Sequence, residues 1–304
     1  MGLSGEGLLA FEWTMIAVTI ILVLARLHLR FNYIGIGLVI SDWFIFATLV
    51  CNTALTCTDT YLYVRGVWSE NIDYYIAGWV LSENYELTVL KVFYASVFPW
   101  YLAQYLNKGI LITLYYHVFA QQSSRIRTSL HVLSCFTISA FIVTVCVNFL
   151  LCSWGCHWTV SNLCSSSCLN MQDNIAFALH FANDIWIFIF PLVLISQLWM
   201  SKAQKISTSI TFGLGILNIG ITFTRWLINQ TTIGPDEDLA TAEALLIADS
   251  HSALIIAILP SLRPYLRILR MEDTWTRSPL CQSHAPGTIR KETVVSQHVS
   301  HASR

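Results

Sequence analysis

Charge is scarce in this sequence. Only 12% of its 304 residues are Asp, Glu, Lys or Arg, where soluble domains carry about 25%. The net charge of −1 gives no basic surface for nucleic acid, so none is expected as a partner. There is no Walker loop, no dinucleotide fingerprint and no convincing Cys/His metal spacing, so no cofactor and no metal are expected. The chain does not open with a basic segment and a small-residue cleavage site. Met1–Gly7 leads directly into an apolar stretch reaching Arg26, which reads as a retained span and not a cleaved signal. What is plentiful is apolar surface: 55% of residues are hydrophobic and the mean hydropathy is +0.58.

A helix needs about 20 apolar residues to cross the hydrocarbon of a bilayer. Seven stretches meet that length: Leu8–Leu29, Gly35–Cys57, Val89–Phe119 (which carries Pro99), Ser129–Ser153, Asn174–Met200, Ile206–Ile228 and Ala242–Leu262. Basic residues in short loops mark the cytosolic side. Arg26 and Arg30 flank the first loop, Arg125 and Arg127 lie in the third, Lys202 and Lys205 in the fifth, and Arg263, Arg267 and Arg270 open the tail. The alternate loops are acidic: Asp59, Glu70, Asp73, Glu83 and Glu86 against a single base, Arg65, in Thr58–Thr88, and Asp236, Glu237 and Asp238 with no base in Asn229–Thr241. The expected architecture is all-α, a polytopic membrane bundle of seven transmembrane helices, with the N-terminus outside and the C-terminus cytosolic. Residues 1–270 form the membrane domain. Residues 271–304, rich in Ser, Thr, His, Arg and Pro, lack the apolar surface to fold alone and are expected to be a disordered cytosolic tail.

Two features fit that orientation. Asn229-Gln230-Thr231 is a glycosylation sequon on an expected outer loop. Four of the nine cysteines, Cys152, Cys156, Cys164 and Cys168, crowd the outer end of span four and the loop after it. Disulfides suit an oxidising compartment, and four cysteines allow three pairings. A zinc site with His157 is the rival reading, but zinc pairs are usually more closely spaced. The segment Tyr61–Trp79 is dense in aromatics, which suits either an interfacial strip on the headgroups or a lid over the bundle.

An ionisable group at the bilayer centre costs about 2.5–3.5 kcal/mol on insertion scales, so such groups face the bundle interior and usually pair. Asp42 lies early in span two, Lys108 in span three, Asp184 in span five, Arg225 in span six, and Asp249 with His251 in span seven. Three acids and two bases nearly balance, as one shared site would require. Asp184, Lys108 and Asp249 are the deepest and form the candidate catalytic pocket. Asp42, Arg225, His251 and Asn183 are candidate binding residues. Polar side chains also simply join helices, a reading that suits Asp42 and Arg225 near span ends. It also suits His180, one turn before Asp184 on the same face. Glu12 and Lys91 are expected to snorkel to the interface. Gly213, Gly215 and Gly220 suggest close helix packing.

Several ordered segments resemble the fungal rhodopsin-like integral membrane domain, the group that includes a satratoxin-cluster membrane protein. The likeness runs from about Phe11 to Ile268. It rests on Asn183-Asp184 followed by Ile-Trp-Ile-Phe-Ile-Phe-Pro191, on Gln197-Leu198 and Lys205-Ile206, on Phe212-Gly213-Leu214-Gly215 leading to Thr224-Arg225-Trp226, on Cys152 with Trp158, and on Ile258-Leu259-Pro260-Ser261-Leu262-Arg263-Pro264. Differences from the family pattern include Ser41 before Asp42, Gly109 after Lys108, and Asp249 as the acid of span seven. The resemblance implies a membrane protein of a fungal secondary-metabolite pathway. Its partners would be the bilayer, a small lipophilic molecule and other pathway enzymes at the endoplasmic reticulum or plasma membrane. Asp184 is then the candidate acid that protonates or cyclises an intermediate, with Lys108 or Asp249 stabilising charge and Arg225 holding the acid's partner. The competing function is a receptor-like sensor of a small hydrophobic ligand, although Ser201–Lys205 offers a transducer little surface. A retinal pump is disfavoured because span seven has no lysine for a Schiff base.

Overall fold

The computed structural model describes residues 4–34, 38–68, 83–119, 124–150, 166–195, 202–231 and 239–262. Among them are seven α-helices and no strand. The helices are α1 (Gly5–Leu29), α2 (Ile40–Val64), α3 (Glu83–Phe119), α4 (Ser124–Leu150), α5 (Ser166–Ile195), α6 (Lys202–Thr231) and α7 (Leu239–Ile258). A π-helical turn, Arg30–Ile34, extends α1, and a 3-10 turn, Leu259–Leu262, follows α7. The chain divides into units Met1–Arg263 and Pro264–Arg304, and the second lies outside the described residues.

The pattern of burial identifies the solvent. On α1 the inward stripe is Leu8, Glu12, Ile16, Thr19, Val23 and Arg26, spaced three or four apart. On α2 it includes Ile45, Thr48, Asn52, Thr56, Asp59 and Leu62. The outward faces hold large apolar side chains, with Ile21 64% and Val50 69% exposed. In water this arrangement would be inside out. Against lipid it places each group in its cheaper environment. The hydroxyls follow the same logic: Thr14, Thr48, Thr53, Thr58 and Thr60 each donate to the carbonyl four residues back. Each of these five hydroxyls is thereby satisfied within its own helix. Four helical stretches are individually long and apolar enough to cross a membrane: Gly5–Asn32, Ile40–Val64, Ser124–Leu150 and Ala240–Ile258. A shorter apolar stretch, Gly213–Ile228, lies in α6.

Packing places α3 at the centre of the bundle. It contacts α2, α4, α5 and α7, while α1 packs on both α2 and α7. It continues through Pro99 without a break. One core cluster joins Leu8, Leu62, Val67, Trp68, Val89 and Ala240. A second joins Val23, Ile45, Ile110, Leu254, Ala257 and Ile258. The turn after α2 is set by Gly66 at φ +83°, a conformation that costs a residue with Cβ about 1–2 kcal/mol. It swings Trp68 into the first cluster, edge-on to Phe93 at 6.3 Å. Of the aromatic outer segment, residues 69–82 lie outside the described residues. The glycine reading of α6 applies at Gly215, where a Cβ would stand 3.1 Å from the Phe188 ring, while Gly213 and Gly220 have open space beside them.

One sequence expectation needs correction, and one pair of basic residues gains a partner. Arg26 and Arg30 flank the first loop from its helical side. Arg26 is on α1 and Arg30 begins the π-helical turn, and both are ion-paired with Asp42. Glu12 does not snorkel to an interface: it is 0% exposed. Its position on the i, i+4 stripe with Leu8 and Ile16 turns it inward, where the bundle and not lipid receives it.

Candidate functional site

Spacing along α3 and α5 builds the site. Gln104 and Lys108 are four residues apart on α3, and His180 and Asp184 are four apart on α5, so each pair shares a helix face. The two faces meet. Lys108 Nζ donates to Asp184 Oδ1 at 2.7 Å and stands 3.1 Å from His180 Nε2. His180 Nδ1 lies 2.9 Å from Asp184 Oδ2. The side chains of Lys108 and Asp184 are 4% and 15% exposed. The Tyr105 ring lies below the ammonium, 5.7 Å from Nζ to its centre, and edge-on to His180.

The contacts continue to α7. His180 Nε2 also faces Gln104 Oε1 at 3.2 Å, and Gln104 Nε2 donates to Asp249 Oδ2 at 3.0 Å. Thr222 of α6 donates to Asp249 Oδ1 at 2.6 Å. One polar chain therefore links α5, α3, α7 and α6. His180 Nε2 serves Gln104 as a donor in one tautomer and Lys108 as an acceptor in the other. The imidazole is thus the junction between the lysine–carboxylate pair and the Gln104–Asp249 arm.

A cavity of about 80 Å³ opens against Lys108, Asp184, His180, Gln104, Asn107 and Asn218, with Leu111, Ile187, Phe188 and Ile256 among its apolar walls. A water needs about 10–15 Å³ by this measure. The space therefore suits several waters or one small polar head, not a whole metabolite. A smaller cavity of about 30 Å³ lies on the other side of His180, lined by Trp100, Tyr101, Asp173, Phe177, Arg225 and Trp226. His180 lines both cavities.

The charges expected to share one site fall into separate groups. Lys108 and Asp184 are in contact, and Asp249 joins them through Gln104 and His180. Asp42 instead sits at the start of α2, where Arg26 reaches it at 3.0 Å, Arg30 also pairs with it, and the Val39 amide donates to it at 3.0 Å. Arg225 lies over the Trp100 ring at 4.9 Å, in the smaller cavity. His251 is buried facing Thr19 of α1 at 3.5 Å. Asn183 accepts from Thr137 of α4 at 3.0 Å, so it ties α5 to α4. Sequence reasoning missed Gln104 and gave His180 a packing role. The signal for both was the i, i+4 pairing with Lys108 and Asp184.

Cys152, Cys156 and Cys164 lie outside the described residues, and Cys168 is on the first turn of α5. Among the described residues, Cys51, Cys57, Cys135 and Cys146 are free thiols, and no group of His, Cys, Asp or Glu is arranged to hold a metal ion. The sequon residues Asn229–Thr231 complete the last turn of α6.

An inside-out helical bundle with a paired lysine and carboxylate in its interior defines a polytopic membrane protein with an intramembrane polar site. The fungal rhodopsin domain matches residues 25–268, and the chain belongs to that family. Comparison with curated proteins and with solved structures finds no match.

Proposed function

We propose that this membrane protein binds the oxygen-bearing head of a small lipophilic molecule at Lys108, His180 and Asp184, and transforms it as a member of a fungal secondary-metabolite pathway. The observation that carries this is the contact set itself: an ammonium, an imidazole and a carboxylate in mutual reach at the wall of an otherwise largely apolar cavity. In such a setting a fixed ammonium polarises a carbonyl or epoxide oxygen, and low dielectric strengthens that interaction. Asp184, as the carboxylate of that pair, holds the ammonium in place, so the acid role expected of it passes to the ammonium and imidazole it orients. His180 exchanges a proton with the bound oxygen, while its contact with Gln104 orients the ring. Asp249 supports Gln104 from α7. In this reading the chain crosses the endoplasmic reticulum or plasma membrane seven times, with Asn229 and the cysteines from Cys152 to Cys168 on the outer side.

The test uses microsomes holding the full chain, fed a panel of lipophilic epoxides, enones and polyenes, with products followed by mass spectrometry. Turnover that is lost in both Asp184→Asn and Lys108→Met, at equal membrane content, supports the reading. Equal product from parent and variants removes it.

The second reading is a receptor-like sensor. It is favoured by the polar chain that joins α3, α5, α6 and α7 through Lys108, His180, Gln104, Asp249 and Thr222. Ligand-dependent binding of a G-protein subunit across the same panel supports it, and its absence counts against it.

A further inference from the structure

Among the described residues, a larger cavity than the one at Lys108 lies elsewhere in the bundle. A lateral pocket of about 370 Å³ lies between α2, α3 and α4, within the range of about 300–1,000 Å³ usual for small-molecule sites. It runs along α3 from Leu102 to Tyr116, about 21 Å at the rise of an α-helix. Ile138 on α4 stands at its rim and is 60% exposed, so the pocket opens sideways to the bilayer and not to water.

Its walls are largely apolar, and its polar groups are unevenly placed. The rings of Phe44, Tyr105 and Phe141 line it together with Gly109. A Cβ on Gly109 would stand 3.2 Å from the Phe44 ring, so the absence of a side chain there lets ring and helix approach closely. The hydroxyls within the apolar stretch are already engaged: Tyr105 with Thr144, Thr113 with the Ile110 carbonyl, and Thr137 with Asn183. The remaining hydroxyls of the lining, Tyr116 and Ser134, lie together at one end, where each keeps an oxygen lone pair able to accept. Tyr116 Oη meets His131 Nδ1 at 2.9 Å, and Ser134 Oγ lies 3.5 Å from the same hydroxyl. Tyr116 is three residues before the end of α3, about 5 Å from the helix terminus.

We propose that this pocket binds a sterol, with its fused rings along the apolar stretch from Leu102 to Ile112 and its hydroxyl at Tyr116 and Ser134. A rigid, elongated apolar body with one terminal hydroxyl matches a pocket that is long and apolar with polar lining groups at one end. A phospholipid acyl chain has no hydroxyl to place there. Tyr105 and Thr137 are shared walls: each lines the pocket and also touches the Lys108 site, Tyr105 against Lys108 and His180, Thr137 through Asn183.

The experiment incubates the full chain in detergent with a sterol bearing a ring diazirine and an alkyne tag. The comparison probe is a phosphatidylcholine with a diazirine in its acyl chain. Sterol labelling on residues 102–116 and 134–141, competed by unlabelled sterol but not by phosphatidylcholine, is the expected result. Ile138→Trp puts an indole in the mouth and weakens labelling about tenfold or more. Tyr116→Phe keeps the ring, removes the hydroxyl and weakens labelling about fivefold. Thr113→Trp serves as the blocking variant if Ile138→Trp does not fold. Equal labelling of these segments by the acyl-chain probe, or sterol labelling unchanged in a folded blocking variant, overturns the proposal.

Discussion

Replacing Lys108 with Met keeps the length of the side chain and removes the ammonium. Asp184 then retains only His180 Nδ1, 2.9 Å from its Oδ2. Removing one partner of a buried ion pair costs about 3–5 kcal/mol, because the other is left uncompensated. Here the imidazole remains in reach and Asp184 is 15% exposed, so the cost falls at the lower end, about 3 kcal/mol. At about 2–4 °C per kcal/mol for a chain of this order, the thermal midpoint drops by about 6–12 °C. Asp184→Asn alone strands the lysine and costs a similar amount. The double variant Lys108→Met/Asp184→Asn removes both charges and returns to within about 1 kcal/mol of the parent, since a neutral pair needs no compensation. The assay is thermal unfolding of purified protein in detergent, read by size exclusion. A double variant as unstable as the sum of the single variants refutes the reasoning.

Asp42→Ala removes the partner of Arg26 and Arg30 and costs about 3–5 kcal/mol. Combined with Arg26→Ala the loss is less than additive, measured in the same assay. Gly66→Ala imposes a Cβ at φ +83° and lowers stability by about 1–2 kcal/mol, with Trp68 fluorescence reporting a loosened turn. Thr222→Val keeps the shape but takes the donor from Asp249 Oδ1, costing about 1–3 kcal/mol.

Much of the fold was legible because lipid imposes a simple rule on composition. Long apolar runs bounded by polar loops predict the helices, and the helices found lie close to the expected spans: α2 at Ile40–Val64 against Gly35–Cys57, α7 at Leu239–Ile258 against Ala242–Leu262. The rule works less well for position around each helix. Glu12 and Arg26 are near enough to span ends to snorkel, and only their i, i+4 register with Leu8, Ile16 and Thr19 shows that they face inward. The deep charges were visible as costly residues, but their partners were not. Asp42 belongs with two arginines that read as orientation markers, because charge counting does not reveal which helices are neighbours. Gln104 carries no charge and escaped the search for ionisable groups, although it bridges His180 to Asp249. Nothing in the sequence marked the α2–α3–α4 pocket, since its walls are ordinary apolar residues whose concavity arises only when Gly109 meets Phe44.

The most direct measurement is the separation of the Lys108 ammonium nitrogen from the Asp184 carboxylate carbon, by solid-state dipolar recoupling on selectively labelled protein in lipid bilayers. Strong coupling consistent with a hydrogen-bonded pair, as the 2.7 Å Nζ–Oδ1 contact requires, is the predicted result. No measurable coupling, with Lys108 in contact with lipid acyl protons, would contradict an interior ion-paired site.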